Sequence, residues 1–256
     1  MRENETDLNL ERLTLKTTTQ QLIEDEEGYR LWRKTTERKY LPVERSALLL
    51  CDVWDDHWSK GARERLEKMV GRMNEVVQAA RRKGLIIIHA PSETTGYYEE
   101  TAARRRAKET RPVELPQPIE HVDPPLPVDA SDEGSDTGQR QPRQVWTRQH
   151  PAIEIDQERD YVSDEGEEIF SILNSEGVNN LFLMGVHANM CILNRSFGIK
   201  KMVSWGVRPI LIKDLTDAMY NPERPPYVSH EEGTRLVVEY IEKFWCPTVE
   251  SEGLIA

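Results

Sequence analysis

Four short runs of almost unbroken apolar residues, SALLLCDVW (46–54), LIIIHA (85–90), NLFLMGV (180–186) and RPILIKD (208–214), are the strongest constraint on this chain. Strands covered on both faces read this way, because neither face can carry polar side chains. Helical periodicity separates them. Between Ala62 and Lys83, Leu66, Met69, Val70, Met73, Val76, Val77 and Ala80 recur at spacings of three and four, and Gly84 stands where a left-handed cap closes a helix. Further helices are expected over 97–110, 164–177, 189–206 and 231–245, and QVWT (144–147) is expected as one more strand. Strands alternating with helices predict an α/β fold of three layers, α/β/α, around a mostly parallel Rossmann-type sheet with right-handed crossovers.

Two segments stand outside this alternation. Residues 1–44 are polar and charged, with a helical flavour around Thr19–Thr36, and read as an N-terminal arm or cap ending at Pro42. Residues 111–143, proline-rich and then acidic (PPLPVDASDEGSDTG), read as a long insertion loop within a domain spanning 45–256. The 38% hydrophobic content fits one core diluted by such surface segments. With 34 Lys and Arg against 45 Asp and Glu, a net charge of −11, the chain lacks the basic field that nucleic acid or an anionic membrane selects. Cys51, Cys191 and Cys246 are odd in number and unpaired in spacing, which predicts a reducing, cytoplasmic setting; no signal-like or membrane-length apolar stretch occurs.

In open α/β sheets, ligands bind beyond the C-terminal ends of the strands. Asp52, His89, Thr147 with Arg148, and the turn from Gly185 to Cys191 all fall on that edge. A thiol attacks as thiolate, and a helix N-terminus with a nearby base or cation favours that form. Cys191 meets the first condition if a helix starts near Ala188 or Asn189, where Asn189 is a plausible cap and backbone N–H groups can hold an oxyanion. Locally, Cys191 reads more readily as a small packing residue, and it is the partnership with Asp52 that reverses this. Asp52, directly after ALLLC, is a candidate for a raised pKa and for proton transfer, or else a turn residue.

LLLCDVWDDHW and GVHANMCI together resemble the isochorismatase-like cysteine hydrolases, the superfamily of nicotinamidases, N-carbamoyl amidohydrolases and isochorismatases, over about 45–245. The resemblance implies a sheet of about six strands and an Asp-Lys-Cys triad with Asp52 as base and Cys191 as nucleophile. It further implies a cis peptide between Val186 and His187 that shapes an oxyanion hole with the Cys191 N–H. Trp54, His57, His89, Ala188 and Asn189 become candidate substrate contacts. Such relatives usually form homo-oligomers, in which the 1–44 arm and the 111–143 loop would cover a neighbour's site.

Several positions depart from the family pattern. Where its lysine belongs this chain has VWTRQHPAI, so the position is Thr147 or Arg148. Arg148 keeps a positive charge but cannot shuttle a proton. The histidine-rich metal segment of nicotinamidases is missing after HAPSE (89–93), and no metal or other cofactor is expected. Asp55, Asp56, His57 and His89 form only a weak metal pattern, and Asp129, Asp132 and Asp136 lack the spacing of a calcium loop. Arg104, Arg105, Arg106 and Lys108 read as a solvated helix side.

The expected function is a hydrolase that cleaves a small-molecule amide or related C–N bond through a Cys191 acyl-enzyme. The alternatives are vinyl-ether hydrolysis of the isochorismatase type, carried by Asp52, and a non-catalytic binding relative that lacks the lysine.

Overall fold

The structure is a computed structural model and describes residues 11–256. In chain order the elements are β1 (Arg12–Glu24), β2 (Arg30–Pro42), β3 (Ser46–Cys51), α1 (Lys60–Lys83), β4 (Ile86–Ala90), α2 (Ala102–Glu109), β5 (Tyr161–Val162), α3 (Gly166–Ser175) and β6 (Asn180–Val186). They continue with α4 (Cys191–Asn194), α5 (Ile199–Ser204), β7 (Arg208–Asp217), α6 (His230–Phe244), β8 (Thr248–Val249) and α7 (Glu252–Ile255).

All eight strands form one sheet in the order β2-β1-β8-β7-β6-β3-β4-β5. The six strands from β8 to β5 run parallel, and β1 adds to β8 antiparallel. Side-chain alternation along β3 divides the core into two layers. Ala47, Leu49 and Cys51 pack with α3, α5 and α6, whereas Leu48 and Leu50 pack with α1. The predicted three-layer α/β/α arrangement is therefore present, and α1 ends on Gly84 at φ 93° as anticipated.

Three expectations about elements are corrected. The 1–44 segment is no helical arm: from Arg12 to Pro42 it is a β-hairpin, paired Arg12↔Pro42 through Glu24↔Arg30 and turned at Gly28, with φ 89°. Its first ten residues lie outside the described ones. Residues 144–147 form no strand; the sheet edge beyond β4 is taken by Tyr161–Val162, and the nearby segment makes only a bridge from Gln149 to Trp54. The single helix expected over 189–206 is two short helices, because the chain is extended at Arg195 and Gly198. A Cβ at Gly198 would lie 2.9 Å from the Ile192 carbonyl oxygen, so the break needs a glycine there. Among the described residues no helix is long and apolar enough to cross a membrane.

Candidate active site

The parallel register brings the C-terminal ends of β3, β4 and β6 together, with Cys51 opposite both Ala90 and Gly185. Two unusual backbone positions make that junction tight. Gly185 has φ 123°, and a Cβ there would lie 2.0 Å from the Cys51 carbonyl oxygen. Asp52 itself adopts φ 52°, a conformation sparsely used by side-chain-bearing residues and most tolerated by Asp and Asn. The chain thereby turns Asp52 off the strand, while its N–H still donates to the Ala90 carbonyl at 3.0 Å.

The Asp52 carboxyl is fully buried, and both oxygens are engaged: Oδ1 accepts from the Ser92 N–H at 2.9 Å and Oδ2 from the Arg195 Nε at 2.9 Å. Burial raises its pKa, opposed by the Arg195 charge and by hydrogen bonds from Cys191 and Ser92. Cys191 lies close enough to the acid for each group to shift the other's titration. Burial first, and then the Asp52 charge, pushes its thiol up to about 12, with Arg195 and the His187 N–H acting in the opposite sense. The resting pair is accordingly a protonated thiol beside a buried acid that is bonded to a guanidinium.

The turn between β6 and α4 carries the cis Val186–His187 peptide bond. Its backbone N–H groups are mostly committed: that of Ala188 donates to Asp217 O at 2.7 Å, and those of Met190 and Ile192 donate to His187 O at 3.0 and 3.2 Å. The Cys191 N–H has no acceptor among the described residues. Asn189 caps no helix; its side chain locks the turn to the chain beyond β7, accepting from Met219 N at 2.9 Å and donating to Met219 O at 2.8 Å.

Arg148 and Thr147, the expected third position, sit elsewhere. Asp55 accepts from the Thr147 N–H and hydroxyl at 2.8 and 2.6 Å and from the Arg148 N–H at 3.3 Å. The Arg148 guanidinium lies over the Tyr97 ring and donates to its hydroxyl at 2.9 Å. Asp55 therefore anchors a loop. The cation on Asp52 is Arg195, which the sequence reading missed. The signal was present as an Arg four residues after Cys191, the spacing that stacks side chains on one helical face.

Of the other candidates, Trp54, His57 and His187 come together and His89 does not. His89 is wholly buried, between Gln149 Oε1 at 3.1 Å and Asp160 Oδ2 at 3.0 Å, in a network that also holds Arg81; it is a strut under the sheet edge and no cleft residue. Trp54 instead stacks on Trp146 at 4.2 Å, with Arg195 over its outer face. His57 continues the wall at 5.8 Å from Trp146 and meets the His187 ring edge-on at 4.9 Å. Burial holds His57 and His187 neutral, at about 4 and about 3. His57 Nδ1 accepts from the Ser59 N–H at 3.0 Å, which places its ring proton on Nε2.

Beneath this wall lies a charged cluster. His230 donates through Nε2 to Asp217 Oδ1 at 2.8 Å and through Nδ1 to the Tyr220 carbonyl at 2.9 Å, so both ring nitrogens carry protons. Arg65 bridges Asp217, at 2.8 Å, to Asp136 of the insertion loop, at 2.7 Å. The 111–143 excursion is in this way pinned to α1, β7 and α6. Among the described residues no three His, Cys, Asp or Glu side chains gather in a metal-holding group.

This arrangement of strands is the isochorismatase-like fold. Among solved structures the chain is similar to a cysteine hydrolase from Pseudomonas syringae pv. phaseolicola, at TM-score 0.52 and 15% identity over 84% of this chain and 92% of that one. An isochorismatase from Pseudomonas putida superposes at TM-score 0.50 and 13% identity over 83% and 91%, and a putative isochorismatase from Burkholderia xenovorans at 0.50 and 14% over 82% and 86%. No protein-family model and no curated protein sequence matches the chain.

Proposed function

We propose that the protein is a cysteine hydrolase of small carboxamides or related C–N bonds, with Cys191 as nucleophile, Asp52 as general base and Arg195 as the fixed cation. The observation that carries this reading is the buried Asp52 carboxyl, bonded to the Arg195 guanidinium at 2.9 Å and set beside the Cys191 thiol so that each shifts the other's pKa. Asp52 takes the thiol proton as Sγ bonds to the amide carbonyl carbon, and the carbonyl oxygen becomes an oxyanion facing the Cys191 N–H. The C–N bond then breaks, Asp52 returns the proton to the departing amine, and a thioester remains. Asp52 takes a proton from water as its oxygen bonds to the thioester carbon, the C–S bond breaks, and Asp52 returns that proton to the departing thiolate, which releases a carboxylic acid and restores the free thiol. A guanidinium cannot exchange protons in this cycle, so Arg195 acts by charge alone: it stabilises both the carboxylate and the developing thiolate.

Ammonia release from a panel of primary amides tests the reading. The wild type turns over at least one member, and Cys191→Ala and Asp52→Asn each abolish that activity; turnover surviving in Cys191→Ala overturns it. The thiol pushed up to about 12 favours a second reading, in which a thiol that keeps its proton leaves Asp52 to act as an acid in vinyl-ether hydrolysis. Activity on a vinyl ether retained in Cys191→Ala and lost in Asp52→Asn selects that one.

A further inference from the structure

The sheet ends on β2, whose 13 residues pair with β1 on one side and, among the described residues, with no strand on the other. Exposed edges of this length invite pairing with another chain, and folded proteins usually shorten them, bulge them or interrupt them with proline. None of those devices is present here. The register with β1 runs unbroken from Arg30 to Pro42, and the proline stands at the last position. Every residue of β2 is exposed or half-buried. More than half of the large apolar side chains exposed among the described residues, Leu22, Tyr29, Leu31, Trp32 and Tyr40, lie on the hairpin.

Charge takes the place of those devices and also selects a partner. β2 carries Arg30, Arg33, Lys34, Arg38 and Lys39 against one acid, Glu37. Arg30 and Lys34 bring counter-charges with them, Glu24 at 4.0 Å and Glu239 and Glu242 at 3.5 and 3.7 Å. Arg33 and Glu37 form no ion pair among the described residues, and strand alternation puts them on one face. The commonest closed assembly of identical chains is a two-fold dimer, in which one patch meets itself. Two copies of β2 joined antiparallel alternate hydrogen-bonded and non-hydrogen-bonded pairs, so a two-fold axis must fall on a residue that opposes its own copy. At Arg33, Lys34, Glu37, Arg38 or Lys39 that residue meets its own charge; at Thr36 the axis sets Arg33 against Lys39 and Lys34 against Arg38. Axes nearer either end leave a short ladder. Thr35 alone avoids every such clash. With the axis there, Arg33 meets Glu37 of the other copy on both sides of it, Trp32 meets Arg38, Tyr40 meets Arg30, and the two Thr35 side chains meet each other. All of these pairings favour antiparallel strands.

We propose that two copies of this chain join edge to edge through residues 30–40 of β2, about a two-fold axis at Thr35, so that both sheets become one. The interface lies on the two strands added beyond the parallel six, and it is independent of the reaction proposed for Asp52 and Cys191.

Analytical ultracentrifugation of the full chain at micromolar concentrations tests the interface. The wild type is expected to be dimeric. Arg33→Glu and Glu37→Arg each turn two opposite-charge pairs into like-charge pairs, and each weakens the dimer about ten-fold or more. Both side chains are exposed, and an unchanged circular dichroism spectrum confirms that the variants fold. Mixing is the sharpest arm: an Arg33→Glu chain against a Glu37→Arg chain regains both opposite-charge pairs, so the equimolar mixture recovers the dimer, as does the double variant Arg33→Glu with Glu37→Arg. A wild type that stays monomeric overturns the proposal and leaves the edge to a partner other than this chain. A dimer untouched by either single variant overturns it too, by placing the interface elsewhere. Variants that dissociate yet recover neither on mixing nor in the double variant overturn the two-fold register at Thr35 and the proposal with it.

Discussion

Arg195 Nε stands 2.9 Å from Asp52 Oδ2, so the positive charge beside the buried acid comes from four residues past the thiol and not from the 147–148 loop. The α4 turn makes this geometry: the Arg195 N–H still donates to the Cys191 carbonyl at 3.0 Å, which keeps the two side chains one turn apart, and the ψ of 158° at Arg195 sends only the following chain away.

Loss of this guanidinium leaves Asp52 buried without a counter-charge, a change that costs several kcal/mol where the group is well enclosed. Arg195→Ala is expected to lower kcat/KM for any amide the wild type hydrolyses by about 100-fold, with Arg195→Lys intermediate. Arg148→Ala, removing an exposed side chain engaged by Tyr97 and Asp55, changes it by less than about three-fold. Steady-state kinetics of the three variants decide the matter, and an equal loss at Arg148 would return the 147–148 loop to the mechanism.

Alkylation gives an independent view of the thiol. Cys51 and Cys246 are buried, leaving Cys191 as the reactive site among the three. With its thiol pushed up to about 12, Cys191 is expected to react slowly with iodoacetamide at pH 7 and progressively faster to pH 10. The Asp52 charge raises that value, so Asp52→Asn lowers it and speeds labelling at pH 8. Mass spectrometry of timed samples follows the single adduct; a slower reaction in Asp52→Asn contradicts the assigned coupling.

Histidines of opposite sign lie within one site. The folded pKa of His230 is raised, against the cost of burial, by its bond to Asp217; its stabilising effect is complete below the unfolded value near 6.5 and is lost as pH rises through the folded one. Asp217 is lowered, so its share is present above about 3.8 and lost as pH falls through its folded value. His57 and His187 are depressed to about 4 and about 3, and the unfolded chain therefore binds more protons between those values and 6.5. Folding stability contributed by keeping them neutral falls as pH drops through that window. Urea midpoints should show His230→Gln more damaging at pH 6 than at pH 9, and His187→Leu flattening the decline between pH 6 and 4. A pH-independent penalty at His230 would mean that it acts by packing alone.

Much of this was legible from residue order because β3, β4, β6 and β7 are buried on both faces and leave a continuous apolar trace. The hairpin was not. On β1 the buried side is read as Leu13, Leu15 and Thr17, an alternation soon diluted by threonine and glutamine. β2 has almost no buried residue and hence no alternation to find. Asp52 and Cys191 were readable because each adjoins an apolar run, while Arg195 was signalled only by its four-residue spacing from Cys191, which many residues of a helix share. Trp146 was hidden for a similar reason: QVWT has the composition of a strand, yet its residues pass along the cleft with no partner strand.

Gly185 provides the most demanding test of how the site is assembled. It combines φ 123° with a Cβ position 2.0 Å from the Cys51 carbonyl oxygen, so alanine there meets both a conformational and a steric penalty. Gly206, at φ 78°, has nothing within 4 Å of its Cβ position and isolates the first effect. Gly206→Ala should cost about 1–2 kcal/mol, a fall in Tm of a few degrees for a chain of this size. Gly185→Ala must in addition push β6 from β3, or bend the backbone beside Asp52, against a close-packed interior that yields little. Its Tm is expected to fall at least twice as far. Activity measured well below that Tm should also drop more than ten-fold, because the displaced contact is the one that sets Asp52 against the Cys191 turn. Equal melting shifts in the two variants would show that the strands part freely and that the tight junction has no role in positioning the acid.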